Sequence, residues 1–143
     1  VLFTDLKGST ELYRRIGDAV AFGLVLDHFE ILKLAVAKYS GTIVKTIGDA
    51  VMAVFKNPVN ALKAILEVQR QLFDPLILKS GIHYGPCIAV NLNNRMDYFG
   101  STINMTARLE SLSTGGDIVI SDKMRTDPEV AFFLTKDKDL EVI

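Results

Sequence analysis

Two aspartates and the residues around them carry the chemistry open to this sequence. Asp5 closes the apolar run Val1-Leu-Phe-Thr, and Asp49 stands in a Gly48-Asp49 turn between two β-branched runs, residues 42–47 and 50–55. Such a pattern predicts a tight antiparallel hairpin. A carboxylate at a strand end or turn tip is exposed, rigidly aimed and free to hold a metal, although a turn aspartate by itself is an ordinary turn former. By strict alternation Lys45 shares a face with Ile43 and Ile47, where an ammonium needs an acid partner or a ligand, or must snorkel to water. Asn104 and Arg108 lie four apart in a helical pattern and share a face. An amide and a guanidinium one turn apart can orient a ribose and neutralise charge building up on phosphate; otherwise they form a solvated polar stripe. Gly8 precedes a Ser9-Thr10 helix start, which leaves backbone N–H groups that suit phosphate. Neither a Gly-x-x-x-x-Gly-Lys nor a Gly-x-Gly-x-x-Gly loop accompanies it.

The elements that must position these residues follow from periodicity and punctuation. A strand ends at Asp5 and a helix follows to about Gly17. A long helix then spans about 18–39, with Val25, Phe29, Leu32 and Val36 on one stripe. His28 lies on that stripe and is read as core or helix surface rather than as a metal ligand. After the central hairpin, Asn57-Pro58 starts a helix that turns Ala61, Ile65, Val68 and Leu72 inward. Residues 76–84 and 87–91 read as a second hairpin around Gly85-Pro86, followed by a polar loop over 91–97. A helix over 101–113 is expected to pack through Ile103, Met105, Ala107, Leu109 and Leu112. A short strand over 117–121 and a mixed-charge helix and tail complete the chain.

This order contains β-α-β-β-α-β, an α+β, ferredoxin-like core with an antiparallel sheet and helices on one face. The topology has a chemical consequence. If the first strand lies antiparallel beside the strand leaving Asp49, the two aspartates become neighbours. Like charges at close range repel unless a cation intervenes, and two strand-end acids suit Mg²⁺ when substrate phosphates supply further ligands.

Composition bounds the rest. The 143 residues are 49% hydrophobic and 23% charged, enough for one domain, 1–143, with a real core. The net charge of −1 gives no basic surface for nucleic acid. Cys87, the single cysteine, rules out an internal disulfide and is expected to be an inert core thiol. His83 has no second ligand at metal-binding spacing and is expected to be structural. The longest apolar run, 19–26, is too short to span a bilayer. The chain opens abruptly on a strand, as in a domain cut from a larger protein; the catalytic domain is expected in the cytoplasm, whether or not the parent is anchored to a membrane.

Four blocks carry a family resemblance: Phe3-Thr-Asp-Leu-Lys-Gly-Ser-Thr10, Lys45-Thr-Ile-Gly-Asp49, Gly81-Ile-His-Tyr-Gly-Pro86 and Asp97-Tyr-Phe-Gly-Ser-Thr-Ile-Asn-Met-Thr-Ala-Arg108. In this order and spacing they resemble the class III nucleotide (adenylate/guanylate) cyclase catalytic domain over roughly residues 1–122. The resemblance implies that Asp5 and Asp49, with the carbonyl of Leu6, hold two divalent cations, Mg²⁺ or Mn²⁺. It implies that Leu6, Lys7, Gly8, Ser9 and Thr10 bind the outer phosphates and that Lys45 and Asp97 read the purine. Lys with Asp goes with adenine in this family, whereas guanylate cyclases typically carry Glu and Cys. Asn104 and Arg108 match the residues that position the ribose and stabilise the transition state. The implied activity is an adenylate cyclase, making 3′,5′-cyclic AMP and pyrophosphate from ATP. Its sites would lie at a homodimer interface, under an upstream regulatory domain of the parent chain.

The sequence departs from the family pattern at Ser9, often phenylalanine, and at Asn91, Asn93 and Asn94, where glycine is common. The family's last pair of strands, with a lysine for the triphosphate, is expected to lie beyond Ile143. Neither Lys136 nor Lys138 is assigned that role. Guanylate cyclase, or a silent cyclase-like sensing module, are the alternatives. A diguanylate cyclase or polymerase is disfavoured by the absence of a Gly-Gly-Asp-Glu-Phe turn.

Overall fold

The computed structural model describes residues 1–137 and 140. Strand β1 (Leu2–Leu6) leads through α1 (Ser9–Ile16) and α2 (Asp18–Lys38) to the hairpin β2 (Thr42–Ile47) and β3 (Ala50–Val54). Helix α3 (Pro58–Gln71) precedes β4 (Leu78–Ile82). A ribbon of β5 (Ile88–Leu92) and β6 (Arg95–Phe99) is followed by α4 (Ser101–Leu112), β7 (Val119–Ile120), α5 (Asp122–Thr126) and α6 (Pro128–Lys136). The main sheet runs β2-β3-β1-β4-β7, antiparallel except for the β4–β7 edge. Its first four strands are the expected split β-α-β-β-α-β arrangement.

Alternation along β1 divides the sheet into two faces. Leu2, Thr4 and Leu6 are buried on one side, where they join Val25, Leu32 and Val36 of α2 and Ile65 and Val68 of α3 in the core. Burying such a set is the main favourable term holding these layers together. Phe3 and Asp5 point to the other side, opposite Gly81 and Lys79 of β4.

That second face is not bare, as the one-sided expectation had it: α4 lies across it. A Cβ on Gly81 would come within 2.3 Å of the Glu110 backbone nitrogen, so the helix backbone rests directly on the strand. Close approach explains why α4 buries Thr102, Thr106 and Ser113 rather than the apolar residues expected to face inward. Met105 and Leu112 are 41% and 68% exposed. Small hydroxyl side chains fit a narrow gap, and theirs are satisfied internally. Thr106 Oγ1 donates to the Thr102 carbonyl at 2.7 Å and Thr102 Oγ1 to the Pro86 carbonyl at 2.6 Å. Gly81→Ala is therefore expected to cost at least about 2 kcal/mol by overpacking, read as a lower urea midpoint at unchanged slope.

The expected hairpin around Gly85-Pro86 is absent. Strand β4 pairs with β1 and β7, while β5 turns back onto β6 through Asn93-Asn94. Both asparagines have positive φ, 52° and 63°, the type I′ geometry that suits a two-residue hairpin. Most of this ribbon's side chains are exposed because it stands off the main sheet. Cys87, just before it, is exposed for the same reason and is not a core thiol. The last strand is shorter than expected, two residues beside β4. Lys136 ends α6 with Nζ 5.0 Å from the Phe132 ring, whereas Lys138 lies outside the described residues. No helix among the described residues is long and apolar enough to cross a membrane.

Candidate active site

Strand register brings the two aspartates together. Thr4 faces Val51 across the antiparallel β1–β3 ladder. One further step sets Asp5 opposite Ala50, next to Asp49 in the β2–β3 turn. Gly48 takes φ 59°, which allows the two-residue turn between Ile47 and Ala50 to close. Both acids are half-buried. Burial pushes the Asp5 carboxyl above its ordinary value, and the Asp49 charge pushes it the same way. The Leu6 N–H donated to Asp5 Oδ1 at 2.9 Å, the Lys79 ammonium and His28 pull against that rise. A pair of carboxylates that raises one member's pKa is a site lacking positive charge.

His28 is fully buried on α2, near enough for the charges of both acids to act on it. A carbonyl can only accept, so the 3.1 Å contact with the Val25 carbonyl puts the proton on Nδ1. Nε2 is then an acceptor with no protein partner among the described residues. Burial lowers the imidazole's pKa, which keeps it neutral, while Asp49 and Asp5 oppose that fall. The helical stripe placed His28 inward, but only the fold puts the acids beside it.

Lys45 has an acid partner, but not on the face that strict alternation gave it. Ile43 faces Ala53 and Lys45 faces Met52, so the register slips by one at Val44. That β-bulge turns Lys45 away from the face of Ile43 and onto the face of Ile47, Met52 and Asp5, correcting the strict alternation read from sequence. There Lys45 Nζ donates to Asp97 Oδ2 on β6 at 2.9 Å. This hydrogen bond, reinforced by the Tyr98 N–H, holds the Asp97 carboxyl below its ordinary value. An open cleft between β2 and the β5–β6 ribbon has both residues in its wall, with Thr46, Asn93 and Met96.

The remaining predicted residues sit at two helices. Gly8, with φ 67°, is the N-cap of α1 and offers no side-chain cap. The first helical bond runs from Leu12 N to the Gly8 carbonyl at 3.0 Å, so the N–H groups of Ser9 and Thr10 stand ahead of the ladder. Lys7 N donates to the Ile77 carbonyl at 2.8 Å, anchoring the loop to β4. Asn104 and Arg108 are exposed on α4, away from the buried Thr102–Thr106 edge. His83 is structural, as expected: its Nδ1 lies 2.6 Å from the Ser121 hydroxyl that caps α5.

Lys79 and Glu110 were absent from the sequence-derived site; Lys79 lowers the Asp5 carboxyl, and Asp5 in turn raises that of Glu110. Lys79 is the cross-strand partner of Asp5, and Glu110 sits where α4 meets Gly81. The alternation Leu78-Lys-Ser-Gly-Ile82 already put Lys79 on the face away from the buried Leu78 and Ile82. No local signal marks Glu110.

Strand-end acids on an antiparallel sheet, a helix start with free N–H groups and a Lys–Asp pair are groups that could together hold a cation and a phosphate ester on an α+β fold. The chain matches the family model for the adenylate and guanylate cyclase catalytic domain over residues 1–142, and it belongs to that family. It is 31% identical to an adenylate cyclase of Lachancea kluyveri over 149 residues, covering 85% of this chain but only 8% of that protein. Among solved structures, an adenylate cyclase from Trypanosoma brucei in its monomeric state superposes with a TM-score of 0.85 at 24% identity. That match covers 93% of this chain and 78% of the other. The adenylyl cyclase CyaB of P. aeruginosa gives 0.74 at 27% identity, covering 87% and 76%. The structural neighbours thus share the fold of class III cyclase catalytic domains.

Proposed function

We propose that this domain is an adenylate cyclase, converting ATP to 3′,5′-cyclic AMP and pyrophosphate at sites shared between two copies of the chain. The observation that carries the choice of base is the Lys45–Asp97 pair at 2.9 Å. A cationic donor beside an acceptor complements adenine, whose ring nitrogens accept and whose 6-amino group donates. The two side chains bind each other in the free domain, so an entering base takes the place of each partner for the other.

Asp5 and Asp49, with the Leu6 carbonyl, would hold two divalent cations, Mg²⁺ or Mn²⁺. The fit is that of a site completed by substrate. Among the described residues no group of three or more His, Cys, Asp or Glu side chains can hold an ion, so two acids leave ligand positions for phosphate oxygens. Bound there, such ions supply charge neutralisation and activate the ribose hydroxyl. Lys7 and the N–H groups from Gly8 to Thr10 take the outer phosphates. Asn104 orients the ribose, and Arg108 neutralises charge growing on the α-phosphate as pyrophosphate leaves. None of the six side chains Asp5, Asp49, Lys45, Asp97, Asn104 and Arg108 is lost from the sequence, which supports an active enzyme over a silent module.

The second copy is supported by the ribbon. Ile88, Leu92 and Phe99 are 64%, 50% and 44% exposed, and the β5–β6 register sets them on one face of the ribbon with Asp97. Surfaces of that kind mark interaction sites.

Incubation with Mn²⁺ and either ATP or GTP, followed by product identification, tests the activity. Cyclic AMP is expected from ATP, at a kcat/KM well above that for GTP. Exchanging Lys45→Glu and Asp97→Cys together reverses the donor and acceptor pattern. It is expected to shift the GTP-to-ATP ratio of kcat/KM by about 10²-fold or more toward GTP. An unchanged ratio would move base recognition elsewhere.

A further inference from the structure

Asp5 and Lys79 are cross-strand partners in the β1–β4 ladder, which sets their side chains on one face of the sheet within reach of each other. Two residues along β4, Gly81 points to that same face, and α4 rests on it through the backbone at Glu110. Lys79 therefore shares a face of the sheet with Asp5 and stands near the turn of α4 that carries Glu110. The charges agree with the geometry. Burial raises the Glu110 carboxyl, Lys79 pulls it down and Asp5 pushes it up.

We propose that Lys79 and Glu110 are positioning residues for the reaction. Lys79 is the built-in counter-cation of the acid pair at the β1 end, and Glu110 shares it, fastening α4 to the strand that carries Asp5. The inference rests on the reading of Asp5 as a metal ligand. It adds a link within one chain between the metal-binding acids and the helix bearing Asn104 and Arg108. If each active site draws these two groups from different copies, the Asp5–Lys79–Glu110 row connects one site of the dimer to the other. With Asp5 engaged by a divalent cation, Lys79 would be left to pair with Glu110 and so would hold α4 more tightly.

Opposite-sign shifts in metal affinity distinguish this role from simple packing. Mn²⁺ binding to the whole chain, followed by water-proton relaxation without nucleotide, is compared for Lys79→Met, Lys79→Arg, Glu110→Gln and the Met/Gln double variant. Lys79→Met removes a competing cation and is expected to bind Mn²⁺ at least about threefold more tightly, while Glu110→Gln binds it more weakly by a similar factor. The double variant is expected to return near the wild-type affinity, and Lys79→Arg to stay within about twofold of it. Lys79→Met is also expected to lower kcat for cyclisation although its metal binds better, a split that loss of packing does not produce. Shifts in the same direction, or none, in variants whose Mn²⁺ binding still depends on Asp5, would overturn the proposal and leave the metal site standing. If Asp5→Ala itself leaves Mn²⁺ binding unchanged, the metal reading fails and takes this inference with it.

Discussion

Asp5→Ala and Asp49→Ala are each expected to reduce cyclic nucleotide formation by about 10³-fold or more while the fold persists, because on the proposed reading charge stabilisation is removed from a phosphoryl-transfer site. The two halves of this outcome have separate causes. On the proposed metal reading, activity falls because the cations lose an anionic ligand. The fold survives because Asp5 points away from the Leu2, Thr4 and Leu6 side of β1 that builds the core.

Stability is expected to rise slightly in the metal-free Asp5 variant, and the sign follows from the raised pKa of Asp5. A carboxyl whose pKa is higher folded than unfolded opposes folding once ionised. The gain on removing it is therefore present at neutral pH, shrinks as pH falls through the folded pKa, and vanishes below the unfolded value of about 3.9. Thermal melts with and without Mn²⁺ provide the measurement. Wild type gains stability from the ion and the two variants do not. Near-normal turnover in either variant would reject the metal assignment.

The second large effect is a recovery. Asp49→Ala and Arg108→Ala are each expected to be inactive alone, because every site of each homodimer lacks one essential group. Mixed in equal amounts and allowed to exchange, they form heterodimers with one doubly damaged site and one intact site. Random pairing makes half the dimers mixed, each with one working site of two, so about one quarter of wild-type activity returns by two-fold symmetry. Recovery requires only reassortment. Verified heterodimers that remain inactive would place each site within one chain, and the shared-site reading would fall while the family assignment stood.

Local sequence determined a good part of this protein. The β-branched runs on either side of Gly48-Asp49 specify the central hairpin, because a two-residue glycine turn and period-two side chains act over a few residues. The stripe of Val25, Leu32 and Val36 and the Asn57-Pro58 start fixed the two core helices in the same way. The positions of Asp5, Asp49, Asn104 and Arg108 at element ends and on one helix face were legible for that reason.

Tertiary structure alone decided how those elements meet. The slip at Val44 that aims Lys45 at Asp97 comes from pairing with β3, and nothing in Thr-Ile-Val-Lys-Thr-Ile announces it. The partner of β5 was misread because Gly85-Pro86 punctuates as strongly as Asn93-Asn94, and only the competition of β1 and β7 for the edges of β4 separates them. Helix α4 presents apolar residues in its sequence yet buries threonines, since Gly81 lets backbone meet backbone and leaves no room for larger side chains. Charge in the site has the same origin. The strain on Asp5 depends on Asp49, Lys79 and His28, residues far apart in the chain that register and packing draw to one strand end.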